Sequence, residues 1–102
     1  MNRVELARSV HEVVSRLRGI SRLDSGPVDK STQYAGGRIP GVVVTGDDLD
    51  IHVVVDEFPV TAVADRVHAA VGEVLHGVGE HRRVRVFVTD VEVDSAAGLG
   101  GR

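Results

Sequence analysis

Between residues 49 and 88 the apolar period changes from two to about 3.6 and back to two, and this restricts the fold more than any other feature. Leu49, Ile51, Val53 and Val55 alternate with Asp50, His52, Val54 and Asp56. That is the pattern of a strand with one buried face. Val60, Val63, Val67, Val71, Val74 and Val78 then line one side of a helix, flanked by Ala64, Ala70 and Leu75. Thr61, Asp65, His68, Gly72 and His76 occupy its opposite side. Past Gly77 and Gly79, Val84, Val86 and Val88 alternate with Arg83, Arg85, Phe87 and Thr89. Strand, helix and strand in succession predict a right-handed crossover, with the last strand parallel to the one before the helix.

The first 48 residues add a helix and more strand. Leu6, Val10, Val13 and Leu17 recur at helical spacing, and Ala7 and Val14 widen the stripe. Asn2 with Glu5 three residues on is an N-cap signal. Gly19 suits a left-handed helix end, and Arg16 and Arg18 sit where cations complement a helix C-terminus. Residues 20–24 form a short strand candidate. Residues 25–38 are expected to be a loop, with one extended stretch near 32–35, because Ser25-Gly26-Pro27 and Gly36-Gly37 punctuate them. Residues 39–45, with the run Val42-Val43-Val44, form a firmer strand that Gly46-Asp47-Asp48 turns into the next. Phe58-Pro59 ends that strand, since proline is tolerated in a first helical turn.

The expected fold is therefore α+β, in two layers, with the order α-β-β-β-α-β. Two helices lie on one face of a three- to four-stranded mixed sheet, and the other face is open. Residues 1–94 are expected to form one domain and residues 95–102 a disordered tail. Hydrophobic residues are 42% of the chain but aromatics only 3%, so the core must be aliphatic and mostly valine.

Composition excludes several chemistries. There is no cysteine, hence no disulfide, thiolate ligand or cysteine nucleophile. Net charge is −3, with acids and bases interspersed and no basic stripe for nucleic acid. No apolar run approaches the roughly 18–20 residues of a membrane span. The N-terminus lacks a signal-peptide core. A cytoplasmic protein is expected, reaching a membrane only through a partner.

The candidate ligands do not gather into a motif. His11, His52, His68, His76 and His81 lack the i, i+4 spacing of a zinc-binding helix. Asp47, Asp48 and Asp50 lack the full oxygen set of a calcium loop and read as turn residues. No serine lies in a nucleophile elbow, and no glycine run continues into a phosphate-binding Lys-Ser/Thr. No cofactor, metal or catalytic residue is expected. The residues that stand out are those on the outer face of the last two strands: His52, Val54, Arg83, Arg85 and Phe87. Val54 and Phe87 are expected there as exposed apolar side chains amid charges, a mixed surface suited to a protein partner.

A family resemblance runs through the same residues. Gly41-Val42-Val43-Val44, the alternating strand 49–55, Phe58-Pro59-Val60, the helix segment Val63-Ala64-Asp65-Arg66-Val67 and the closing Val84-Arg85-Val86-Phe87-Val88 resemble the alkaline shock protein family. These are envelope stress response proteins of Gram-positive bacteria. Residues 1–18 match that family's leading helix, and residues 38–42 resemble its shorter actinobacterial-type members. Glu57-Phe58 stands where the family often has Tyr-Gly, and His76-Gly77 replaces its Thr-Gly. The resemblance covers most of residues 3–93. It implies a non-catalytic protein that self-associates or binds a membrane-anchored partner. The alternative is a small KH-like nucleic-acid-binding module, although the chain lacks a GXXG loop with flanking basic residues.

Overall fold

The structure, a computed structural model, describes residues 2–26 and 28–93. The tail expected over residues 95–102 lies outside the described residues. The elements are α1 (Arg3–Ser15), β1 (Ile20–Leu23), β2 (Ser31–Tyr34), β3 (Gly37–Pro40), β4 (Val42–Val44), β5 (Asp48–Val55), α2 (Val60–Gly77) and β6 (Arg83–Val91). The protein is α+β with a mixed sheet. Its order follows the expected one, with two further strands in the segment before β4.

β5 is the centre of the sheet. On one edge it pairs in parallel with β6, from Asp48↔Arg83 through Val53↔Val88. On its other edge it pairs antiparallel with two short strands placed end to end. β4 takes the first half, from Val44↔Leu49 to Val42↔Ile51. β1 takes the second, from Leu23↔Val53 to Ile20↔Val55. The backbone of His52 serves both at the junction: its N–H donates to the Gly41 carbonyl at 2.7 Å, and its carbonyl accepts from Asp24 N–H at 3.1 Å. Gly41 is there because nothing larger fits. Its φ is +76°, and a Cβ would lie 2.8 Å from the His52 carbonyl oxygen, 2.8 Å from Leu23 Cβ and 2.9 Å from Asp24 N.

Between Asp24 and Gly41 the chain leaves the sheet and returns as a separate antiparallel pair, β2 with β3. This corrects two expectations. The segment 25–38, expected to be a loop, contributes to a hairpin, and the strand expected over 39–45 is divided at Gly41. Ile39 pairs with Thr32, whereas Val42–Val44 pairs with β5. The left-handed Gly41 cannot continue a strand, so the direction changes there. Thr32 is buried, its hydroxyl donating to the Val42 carbonyl at 2.7 Å, and so ties the hairpin to β4.

Both helices pack on the face that carries Leu49, Ile51, Val53 and Val55. One apolar cluster joins these residues to Leu6, Ala7, Val10 and Val14 of α1 and to Val63, Val67, Val71 and Leu75 of α2. Compared with the expected stripe, α1 is rotated slightly: Val14 is buried and Val13 is half-exposed. Asn2 caps α1 by accepting from Glu5 N–H at 2.8 Å, and its side-chain amide donates to the Glu5 carboxylate at 2.8 Å. The helix ends at Ser15, earlier than Gly19. Gly19, at φ +94°, lets the chain pass close under Val63 of α2. α2 ends through Gly79 at φ +70°, with Glu80 N–H donating to the Leu75 carbonyl at 3.0 Å and Gly79 N–H to that of His76 at 3.1 Å.

The Gly41 junction provides a stability test. Gly41→Ala is expected to lower the unfolding free energy by roughly 2 kcal/mol or more, combining a left-handed backbone with a clash against main chain. Gly46→Ala, at a turn with nothing within 4 Å, is the control. It is expected to change stability by less than about 0.5 kcal/mol in the same urea titration.

Candidate functional site: the outer face of β5 and β6

The sheet face turned away from the helices is organised by the parallel register of β5 and β6. In-register partners share a face, so Asp48 meets Arg83, Asp50 meets Arg85 and His52 meets Phe87. Arg83 Nε donates to Asp48 Oδ1 at 2.8 Å. Arg85 binds Asp50 through two parallel bonds, Nε to Oδ1 at 2.7 Å and the terminal nitrogen to Oδ2 at 2.8 Å. It also approaches Asp48 at 3.7 Å. A two-point guanidinium–carboxylate pair fixes orientation as well as charge. The turn before β5 is closed by Thr45, whose hydroxyl accepts from Asp48 N–H at 3.0 Å. Asp48 and Asp50 therefore belong to the last strand's arginines as much as to the turn.

Beyond the ion pairs the imidazole of His52 stacks on the ring of Phe87, with centroids 4.7 Å apart and planes inclined by 11°. The Arg85 guanidinium lies 5.7 Å from the Phe87 centroid. Contacts of this kind contribute about 0.5–1.5 kcal/mol each. Phe87 nevertheless remains 40% exposed. Arg83 and Arg85 are exposed, and His52 is half-buried. Four of the five expected residues thus form one contiguous strip.

Val54 does not join them as an exposed side chain. It is 0% exposed. Alternation does put it on the outer face, but two neighbours close over it. Arg22 of β1 stands opposite Val54, and its guanidinium pairs with Glu92 just past β6. Ser21 donates to the same carboxylate at 3.1 Å. Because β5 runs between these partners, the ion pair spans it at the level of Val54. β6 also bulges here: Val53 pairs with Val88 but Val54 with Asp90. Thr89, the extra residue, donates its hydroxyl to the Val53 carbonyl at 3.2 Å.

His76 and His81 border an open depression of about 670 Å³ beside the end of α2, shared with Glu80 and Arg82, which pair with each other. Among the described residues, no three His, Cys, Asp or Glu side chains are grouped to hold a metal ion. Among the same residues, no buried side-chain nitrogen or oxygen lacks a hydrogen-bond partner. No helix of the structure is long and apolar enough to cross a membrane.

Comparison with protein families, curated proteins and solved structures returned no match.

The strip makes stability depend on pH in a definite direction. The bond from Arg83 holds the Asp48 carboxyl below its ordinary 3.8. Bonds from Arg22 and Ser21 hold Glu92 below 4.5. His52 is pushed below 6.5, first by burial and also by Lys30, against the opposing pull of Asp50 and Asp24. In each case the unfolded chain takes up protons more readily than the fold. Stability is therefore full above the unfolded pKa and is lost as pH falls through the folded one. Urea unfolding is expected to show a first decline below about pH 6.5 from His52 and a second below about pH 4 from the carboxylates. His52→Gln is expected to reduce the first. Arg83→Ala is expected to destabilise less at about pH 3 than at about pH 7, because below the ordinary carboxylate pKa of about 3.9 the unfolded chain takes up a proton at Asp48 that the paired carboxylate of the fold resists, and the pair's contribution declines. Identical pH slopes in wild type and variants would contradict this account.

Proposed function

We propose that this chain is a non-catalytic interaction module of the alkaline shock type, acting by self-association or by binding a membrane-anchored protein partner through the outer face of its sheet. The observation that supports this most is Phe87, held half-open against His52 beside arginines whose charges are already matched by Asp48 and Asp50. An apolar ring within a neutralised rim can be covered by a protein surface without stranding unpaired charge. The same pairing weighs against the KH-like alternative. Arg83 and Arg85 are engaged by carboxylates of their own sheet, and the net charge is −3, whereas phosphate binding needs unmatched cations.

The test is sedimentation of the purified protein over a concentration series, with Phe87→Ala as the variant. Self-association is expected to weaken at least about tenfold, or about 1.4 kcal/mol. At low concentration Phe87→Ala is expected to lose about 1–3 kcal/mol of stability with the His52 and Arg85 contacts yet to remain folded, since the ring is not part of the core cluster. A chain that never associates, yet binds single-stranded RNA at micromolar concentration with strong salt dependence, would overturn this reading in favour of the KH-like one.

A further inference from the structure

We infer that β6 is a dimerisation edge, on which β6 of a second copy pairs antiparallel about a two-fold axis at Val86. The inference rests on the proposal that the chain acts through protein contact, and names the partner and the backbone that receives it.

Among the described residues, β6 pairs on one side only. Arg83 N–H donates to the Asp47 carbonyl at 2.8 Å, so the main-chain groups of Arg83, and of Arg85 and Phe87 in step with it, face β5. Those of Val84, Val86 and Val88 point away, toward the free edge. Edges are ordinarily blunted by charged side chains, proline, bulges or interruption. The opposite edge of this sheet has such devices: two short strands meet at Pro40-Gly41 and the chain departs between them. β6 has no proline or interruption from Arg83 to Val88, its two charges, Arg83 and Arg85, are paired with Asp48 and Asp50 of its own sheet, and its bulge comes only at Thr89. Val84, Val86 and Val88 are also only half-buried, although they pack on the core side. A neighbouring valine ladder would complete their cover.

Symmetry and charge select the register. A two-fold dimer requires antiparallel strands, because the same patch must meet itself. With the axis at Val86, Val84 lies opposite Val88 of the second copy, and the outward main-chain groups meet in bonded pairs. On the outer face Arg85 then lies opposite Phe87 of the second copy, extending the cation–aromatic contact already present within one chain. An axis at Arg85 would set two arginines face to face, and one at Phe87 would set Val84 against Asp90; like charges or a charge against an apolar neighbour disfavour both.

The full chain would be studied by sedimentation and by residue-resolved amide exchange from about 1 μM to about 1 mM. The expected result is a particle of two 10.9 kDa chains. The amides of Val84, Val86 and Val88 should slow at least about tenfold as it forms. Val86→Lys, with an unchanged circular dichroism spectrum, should weaken the dimer at least about tenfold. Should that variant not fold, Val86→Cys decides, because the chain has no other cysteine. A short bis-maleimide should join two copies readily at position 86, and several-fold less in Val84→Cys, whose opposite neighbour is residue 88. A monomer at every concentration would overturn the inference. So would protection of the three amides that does not vary with concentration, which would mean the chain covers its own edge. If Val86→Lys leaves assembly intact while Phe87→Ala weakens it, the edge is wrong and the proposed function stands. If both variants assemble as the wild type does, both fail.

Discussion

The parallel register between β5 and β6 is the constraint on which the rest of this structure depends. It is set from two sides. Val84, Val86 and Val88 must face the same core as Leu49, Ile51, Val53 and Val55, because a slip by one residue would turn every valine outward. The same alignment brings Asp48 to Arg83 and Asp50 to Arg85. The hydrophobic term supplies most of the energy, at about 1.5–3 kcal/mol per fully buried side chain of β5 and less for the half-buried valines of β6. The exposed ion pairs contribute less, since solvent screens them. Their value lies in selection: a shift by two residues keeps the valines inward but changes which carboxylate each arginine meets. Core burial thus sets the parity of the register, and charge distinguishes the alternatives that parity leaves.

Much of this fold was legible in the residue pattern, for reasons that are physical. β5, α2 and β6 were readable because each turns one side to the core, fully buried in β5 and α2 and half-buried in β6, and one-sided burial prints a period. α1 was readable through its period and through the reciprocal Asn2–Glu5 cap. The β2–β3 hairpin was not, because Gln33, Tyr34, Gly37 and Arg38 face solvent, and only Thr32 and Ile39 are buried. A strand without a buried face leaves no alternation to find. Gly41 was visible as a glycine, but its role depends on Leu23, Asp24 and His52, which tertiary structure brings beside it.

The outer face shows the same boundary. His52, Arg83, Arg85 and Phe87 could be placed together from alternation and the expected parallel crossover. Asp48 and Asp50 could have been added by the same route, since the offset that aligns His52 with Phe87 aligns them with the arginines. Val54 could not. Its burial depends on Arg22 and Glu92, 70 residues apart in sequence, meeting above it. Periodicity says which way a side chain points; it does not say what closes over it.

The way the chain leaves and rejoins the sheet at His52 has a separate consequence. Both ends of the excursion are fastened to one residue of β5, one to its carbonyl and the other to its amide. The intervening segment is therefore a detour whose anchor points do not depend on its length. Chain closure across fixed ends costs only about 0.6 kcal/mol for each doubling of a flexible loop. The solvent-facing tip between Tyr34 and Gly37 is thus a natural place for insertion or grafting of foreign sequence, and for divergence between relatives. The β-α-β frame that carries the outer strip would be left as it is.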